Sequence, residues 1–77
     1  MEVARKEIAK GLKKLRIDRE LTIEKLALKS GVATSTICGY ETGKRSINLD
    51  TLEKLVVACD SNLYIFFKTN FAYKQEE

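Results

Sequence analysis

Two short stretches, residues 21–31 and 34–43, constrain this chain more than anything else in it. In the first, Thr22 is a good helix N-cap, Glu24 lies in the first turn and Ser30-Gly31 supplies a stop. These signals predict a helix of two turns, with Leu26 and Ala27 on its buried stripe and Ile23 behind them. In the second, Thr34 to Thr42 predicts another short helix with Ile37 and Tyr40 inward and Gly43 just past its end, at the C′ position. The specification is narrow: two short helices joined by a tight glycine turn.

The flanks read as helices too. From Val3 to Arg19, Ile8, Leu12 and Leu15 recur at i, i+4 and i+7 among lysines and arginines, which predicts an amphipathic helix. Gly11 lies inside it at a cost of about 1 kcal/mol relative to Ala. It either weakens the helix or lets a neighbour or DNA come close. Asn48 caps a fourth helix whose Leu49, Leu52, Leu55, Val56 and Cys59 repeat at helical spacing, and Asp60-Ser61-Asn62 ends it. This is the outline of a helix-turn-helix, in which the second helix of the pair enters the DNA major groove. Spacing alone also admits an ordinary αα-hairpin.

Composition narrows the chemistry. At 77 residues the chain is one small domain, which buries only roughly 60% of its unfolded surface and gains from pairing with a second copy. That length excludes a multi-domain enzyme, and the absence of histidine removes Ser-His-Asp, Cys-His and His-ligated metal chemistry. Cys38 and Cys59 belong to no CxxC pattern, so neither a zinc site nor a redox motif is expected, and no cofactor is implied. No apolar run approaches a membrane span, the first residues do not read as a signal peptide, and a reduced cytoplasmic protein is expected. With no proline, turns fall to Gly, Asn, Asp and Ser.

The net charge of +3 is unevenly placed. Residues 1–19 hold seven Lys or Arg against three acids, whereas residues 20–68 balance at six and six. Such a run is either a solvated helix face or a phosphate-contacting surface, and charge alone does not decide between them.

The series Leu15-Arg16, Leu21-Thr22, Leu26-Ala27, Ser30-Gly31-Val32, Ser35-Thr36-Ile37, Tyr40-Glu41-Thr42-Gly43-Lys44-Arg45 and Leu49-Asp50-Thr51-Leu52 resembles the Cro/phage-repressor-type (XRE-like) helix-turn-helix family. The matches cover about two thirds of the chain. The resemblance implies a mainly α fold, a repressor-like bundle of four to five helices. It also implies a bacterial or phage transcription regulator that binds double-stranded DNA, usually as a homodimer, and is not an enzyme.

By position, Arg16 and Glu41 match the family's buried ion pair, which orients the arginine toward a phosphate. Thr34, Ser35 and Gly39 match its base-reading residues. Thr22, Thr36, Lys44, Arg45 and Ser46 fall on the side facing the DNA backbone. The readers depart from the family pattern, because Thr and Ser reach less far than the usual long amides or arginines and Gly39 has no side chain. Ile23 replaces a common DNA-touching glutamine and Ala33 the usual capping hydroxyl. Compensation is expected from Lys44-Arg45-Ser46, clamping phosphates or inserting Arg45 into a narrow minor groove, and from the N-terminal lysines. Cys38 is either a plain small helix residue or, with the methyl of Thr34, a partner for thymine methyl groups.

The end of the chain is the least regular part. Leu63-Tyr64-Ile65-Phe66-Phe67-Lys68 is apolar on all sides and rich in β-favouring residues, where much of the family has a fifth helix with acids in place of Tyr64 and Ile65. A β-strand is therefore favoured over an apolar fifth helix, paired either with Phe71-Ala72-Tyr73 as a hairpin or with a second subunit. Residues 1–62 are then the DNA-binding unit and residues 63–77 a dimerisation segment of the same compact domain, with Leu63, Tyr64, Ile65, Phe66, Phe67 and Phe71 at the interface. The loop Arg45 to Leu49 and the pair Phe66-Phe67 resemble restriction-modification controllers, and the strand resembles antitoxins, for which a toxin chain would be a further partner.

Overall fold

The computed structural model describes residues 2–71, with side chains from residue 4 onward. Five helices follow one another: α1 (Glu2–Asp18), α2 (Ile23–Ser30), α3 (Thr34–Glu41), α4 (Leu49–Ala58) and α5 (Leu63–Phe71). Helix α1 packs on α3 and α5, α2 on α3 and α4, and α4 on α5, so the helices enclose one core. Leu12, Leu26, Ile37, Leu52, Leu55, Val56 and Cys59 are fully buried there, joined by Val32, Tyr40 and Phe66. Each large aliphatic side chain in this set contributes about 1.5–3 kcal/mol by leaving water.

Local chemistry explains the boundaries. Thr22 Oγ1 accepts from the Lys25 N–H at 3.0 Å and starts α2, while Gly31, at φ 78°, ends it by donating to the Ala27 carbonyl at 2.8 Å. Asn48 Oδ1 likewise accepts from the Thr51 N–H at 3.1 Å to start α4. Gly43 follows the last residue of α3's C-terminal turn with φ 75°. The N-cap of α3 is Ala33, which makes no side-chain capping bond.

Two turns use residues that would not be chosen for them. Glu20 (φ 58°) and Asp60 (φ 60°) occupy the left-handed region after α1 and α4. Glu20 N–H bonds the Ile17 carbonyl and Leu21 N–H the Arg16 carbonyl, and Asp60 to Val57 and Ser61 to Val56 repeat the pattern. Both are Schellman endings with an acid where glycine is usual. Arg19 adds to the second, its Nε donating to the Cys59 carbonyl at 2.8 Å.

The expected strand over residues 63–68 is a helix. Leu63, Phe66, Phe67, Asn70 and Phe71 lie at i, i+3, i+4, i+7 and i+8, the spacing of one helical face, and these are the residues of α5 that turn inward. Asn62 Oδ1 accepts from the Ile65 N–H at 2.9 Å, so the residue read only as the end of α4 is also the cap of α5. Phe66 is 3% exposed and packs edge-on to Phe67, with centroids 5.7 Å apart. Burial between α1 and α4 outweighs the β-preference of Tyr, Ile and Phe. Among the described residues there is no strand. Ala72 and Tyr73, the return arm of the expected hairpin, lie outside them.

The placement of Gly11 resolves its role. A Cβ there would collide with the side-chain amide of Asn70, so glycine leaves the room that this amide occupies between α5 and α1. Leu49, grouped with the core by its spacing, is instead 59% exposed in the first turn of α4.

Candidate nucleic-acid interface

Helix α3 is the centre of the site. Ile37 and Tyr40 are buried and hold it on the core, which leaves Thr34, Ser35, Cys38 and Thr42 exposed along its outer side. Tyr40 Oη also accepts from the Asn48 N–H at 3.4 Å, tying α3 to the start of α4.

Glu41 ties α3 to α1. Arg16 Nε donates to Glu41 Oε2 at 2.7 Å, Nη2 to Oε1 at 2.9 Å, and Nη1 to the Leu21 carbonyl at 2.7 Å. The hydrogen bonds to Glu41 raise the arginine pKa further, against the opposing effect of burial. Three of its five N–H groups are thus committed and 9% of its surface is exposed, and these bonds tie α1, α3 and the α1–α2 turn together.

The basic loop after α3 gathers the remaining polar residues. Arg45 Nη1 donates to Thr36 Oγ1 at 3.2 Å, and Arg5 Nη2 from α1 donates to Ser46 Oγ at 3.3 Å. Lys44 is exposed beside them. Thr36 and Ser46, both expected against the DNA backbone, thus stand at the two edges of one arginine-bearing surface, while Thr22 is exposed at the start of α2 with its hydroxyl accepting the capping bond. Gly39 is not an open gap in α3, because the Arg45 stem lies over it.

The helix-turn-helix family model HTH_3 matches residues 12–66. The chain belongs to the HTH_3 (XRE-type) helix-turn-helix family. As an HTH_3 fold it is similar to the crystal structure of an HTH_3 family transcriptional regulator from Vibrio cholerae, with TM-score 0.84 and 27% identity over 95% of this chain and 42% of that one. It therefore spans under half the length of that regulator. It has the same TM-score, 0.84, to the restriction-modification controller protein C.Esp1396I, solved as a tetramer in complex with its natural 35 base-pair operator, at 24% identity over 94% of this chain and 95% of that one. A crystal structure of the wild-type controller protein C.Esp1396I matches equally, with TM-score 0.84 and 24% identity over 94% of this chain and 95% of that one. No curated protein matches the sequence significantly.

Within this HTH_3 framework part of the N-terminal charge is bound up in intramolecular contacts, while Lys6, Lys10 and Lys13 are exposed on α1. Arg16 is buried, Arg19 caps α4, and Lys14 pairs with Asp18 at 3.3 Å on the surface of α1. Arg5 alone among the arginines of α1 reaches the basic loop. Neither the Arg19 cap nor the Arg5–Ser46 bond was foreseeable from charge distribution, since both span forty residues or more of chain. Phe66, expected at an interface, is already enclosed by its own chain, and Leu63 and Phe67 pack half-buried against the same core. The large apolar side chains left open on α5 are Tyr64 and Ile65, 73% and 49% exposed.

Proposed function

We propose that this protein is a homodimeric, sequence-specific DNA-binding transcriptional regulator of the repressor or controller kind, acting in the cytoplasm. The observation that carries the reading is the exposed side of α3, held by the Arg16–Glu41 pair and bordered by Arg45 of the basic loop and Arg5 of α1. Thr34, Ser35 and Cys38 face base edges, while Thr22, Lys44 and Ser46 face phosphates. A dimer sets two copies of α3 in successive major grooves about 34 Å apart on a partly palindromic site. The likeness to a controller solved on its operator supports this arrangement.

The α5 surface bearing Tyr64 and Ile65 is the proposed meeting place of the two subunits, because these side chains are apolar, adjacent and unused by the monomer core. Selection of bound sequences from random duplex DNA at about physiological salt tests the function. An enriched motif with two-fold symmetry is expected. No enrichment would replace this reading with that of a protein-interaction module, an antitoxin-like role included, which keeps the fold without reading DNA.

A further inference from the structure

The outer side of α3 carries only short side chains, yet it is crossed by a long one. The stem of Arg45 lies over Gly39, where a Cβ would stand 3.0 Å from both Cγ and Cδ of the arginine and 3.3 Å from its Cβ. The loop backbone is anchored at the same point, since the N–H groups of Lys44 and Arg45 both donate to the Gly39 carbonyl, at 2.9 and 3.2 Å. From there the side chain runs back along the helix to Thr36, where Nη1 meets the hydroxyl at 3.2 Å. Gly39 and Thr36 are one turn apart on α3, so the arginine is laid along the helix rather than standing off the loop.

Resting on the regulator reading above, we infer that Arg45 reads a guanine edge in the major groove as part of the α3 surface, with Gly39 as the seat its stem requires. A guanidinium presents five N–H donors in a rigid fork, and the bond to Thr36 uses one of them. The remaining donors suit the paired acceptors O6 and N7 of guanine, the commonest specific contact in that groove. Arginine forks onto phosphates as well, but Lys44 and Arg5 already supply charge beside the loop, and a stem laid along α3 from Gly39 to Thr36 carries the fork onto the outer side of the helix. Gly39 therefore contributes to specificity by what it leaves out. It gives the place of a base-reading side chain to a residue six positions later in the chain.

The test is selection from random duplex DNA with the intact chain in four forms: wild type, Arg45→Ala, Arg45→Lys and Gly39→Ala, with binding to the wild-type site measured across a salt series. Arg45→Ala is expected to lose preference for one guanine per half-site, to keep the rest of the motif, and to weaken binding about 10- to 100-fold. Arg45→Lys keeps the charge without the fork, so it is expected to lose the same guanine while retaining the salt slope. Gly39→Ala, with Arg45 still present, is expected to relax that same position. If Arg45→Ala leaves the motif unchanged at every position and lowers the salt slope by about one, Arg45 is a phosphate contact and the inference is overturned, with the regulator reading intact. If Gly39→Ala leaves the guanine preference untouched, the seat is overturned. A wild type that enriches no motif overturns both readings together. Arg45 is exposed, so thermal melts of its variants are expected to match the wild type and to separate loss of reading from loss of fold.

Discussion

Arg16 on α1 and Glu41 on α3 meet through two parallel hydrogen bonds, at 2.7 and 2.9 Å, with 11% and 4% of their side chains exposed. A pair so enclosed gains attraction in a low dielectric and loses hydration at the same time, and the two nearly cancel. Its value is geometric: it fixes how α3 sits on α1. Removing one partner strands the other charge. Glu41→Ala and Arg16→Ala are each expected to lower stability in urea by about 3–5 kcal/mol, whereas the double replacement Arg16→Met with Glu41→Leu recovers most of that loss. Equal losses in the single and double variants would show the pair to be a net stabiliser.

Gly11 and Asn70 make a second coupled pair. Alanine at position 11 gains about 1 kcal/mol of helix propensity, but it must displace the Asn70 amide, whose Nδ2 donates to the Phe66 carbonyl at 2.7 Å. Gly11→Ala is therefore expected to be neutral or destabilising alone and to stabilise by about 1 kcal/mol in an Asn70→Ala background. Additive effects in a double-mutant cycle would mean that the two helices do not depend on this contact.

The left-handed turns offer an increase in stability. Glu20 is exposed and its carboxylate makes no bond among the described residues, so Glu20→Gly relieves a conformation that costs an L-residue about 1–2 kcal/mol. Part of that is returned as chain entropy. A rise in melting temperature of a few degrees is the expected outcome, and a fall would show that the Glu20 side chain has a stabilising role of its own.

Ala33 leaves α3 without a side-chain cap. Ala33→Ser is expected to add about 1 kcal/mol, or roughly 4–8 °C in a domain of this size. A calorimetric scan showing no gain would place the N-terminal N–H groups of α3 in some other satisfied state.

The two thiols are expected to behave oppositely. Cys38 is exposed, whereas Cys59 is fully buried and burial pushes its pKa up, against the lowering influence of Arg19 and Lys29. Brief alkylation at pH 8 should modify Cys38 alone, as read by mass spectrometry. The folded chain holds the Cys59 proton more tightly than the unfolded chain does. Its contribution to stability is thus full below the ordinary thiol pKa of about 8.5 and is lost as pH rises through the higher folded value. Cys59→Ala should flatten that decline above about pH 8.5 while lowering stability overall.

Much of the site was legible because it rests on local rules. Thr22, Gly31, Gly43 and Asn48 occupy the caps and turns that their chemistry favours, and Ile37 and Tyr40 face inward as their spacing requires. The misreading of α5 came from weighing residue preference over period: Tyr64 and Ile65 suggested a strand, while Leu63, Phe66, Phe67 and Phe71 already carried the helical repeat and Asn62 the cap. Contacts between distant segments were beyond local rules altogether. Nothing in the neighbourhood of Gly11 names Asn70, and nothing near Gly39 says that Arg45 folds back over it.

The contact between α1 and α5 also sets an order of events during synthesis. Helix α1 presents Leu12 and the notch at Gly11 to a partner made after α2, α3 and α4, so α1 waits, half-covered, while those three assemble. A chain released before Phe66 and Asn70 lacks the cover that completes the core, and it is exposed to proteolysis rather than held as a smaller working domain. The core closes only once α5 has followed the four helices before it.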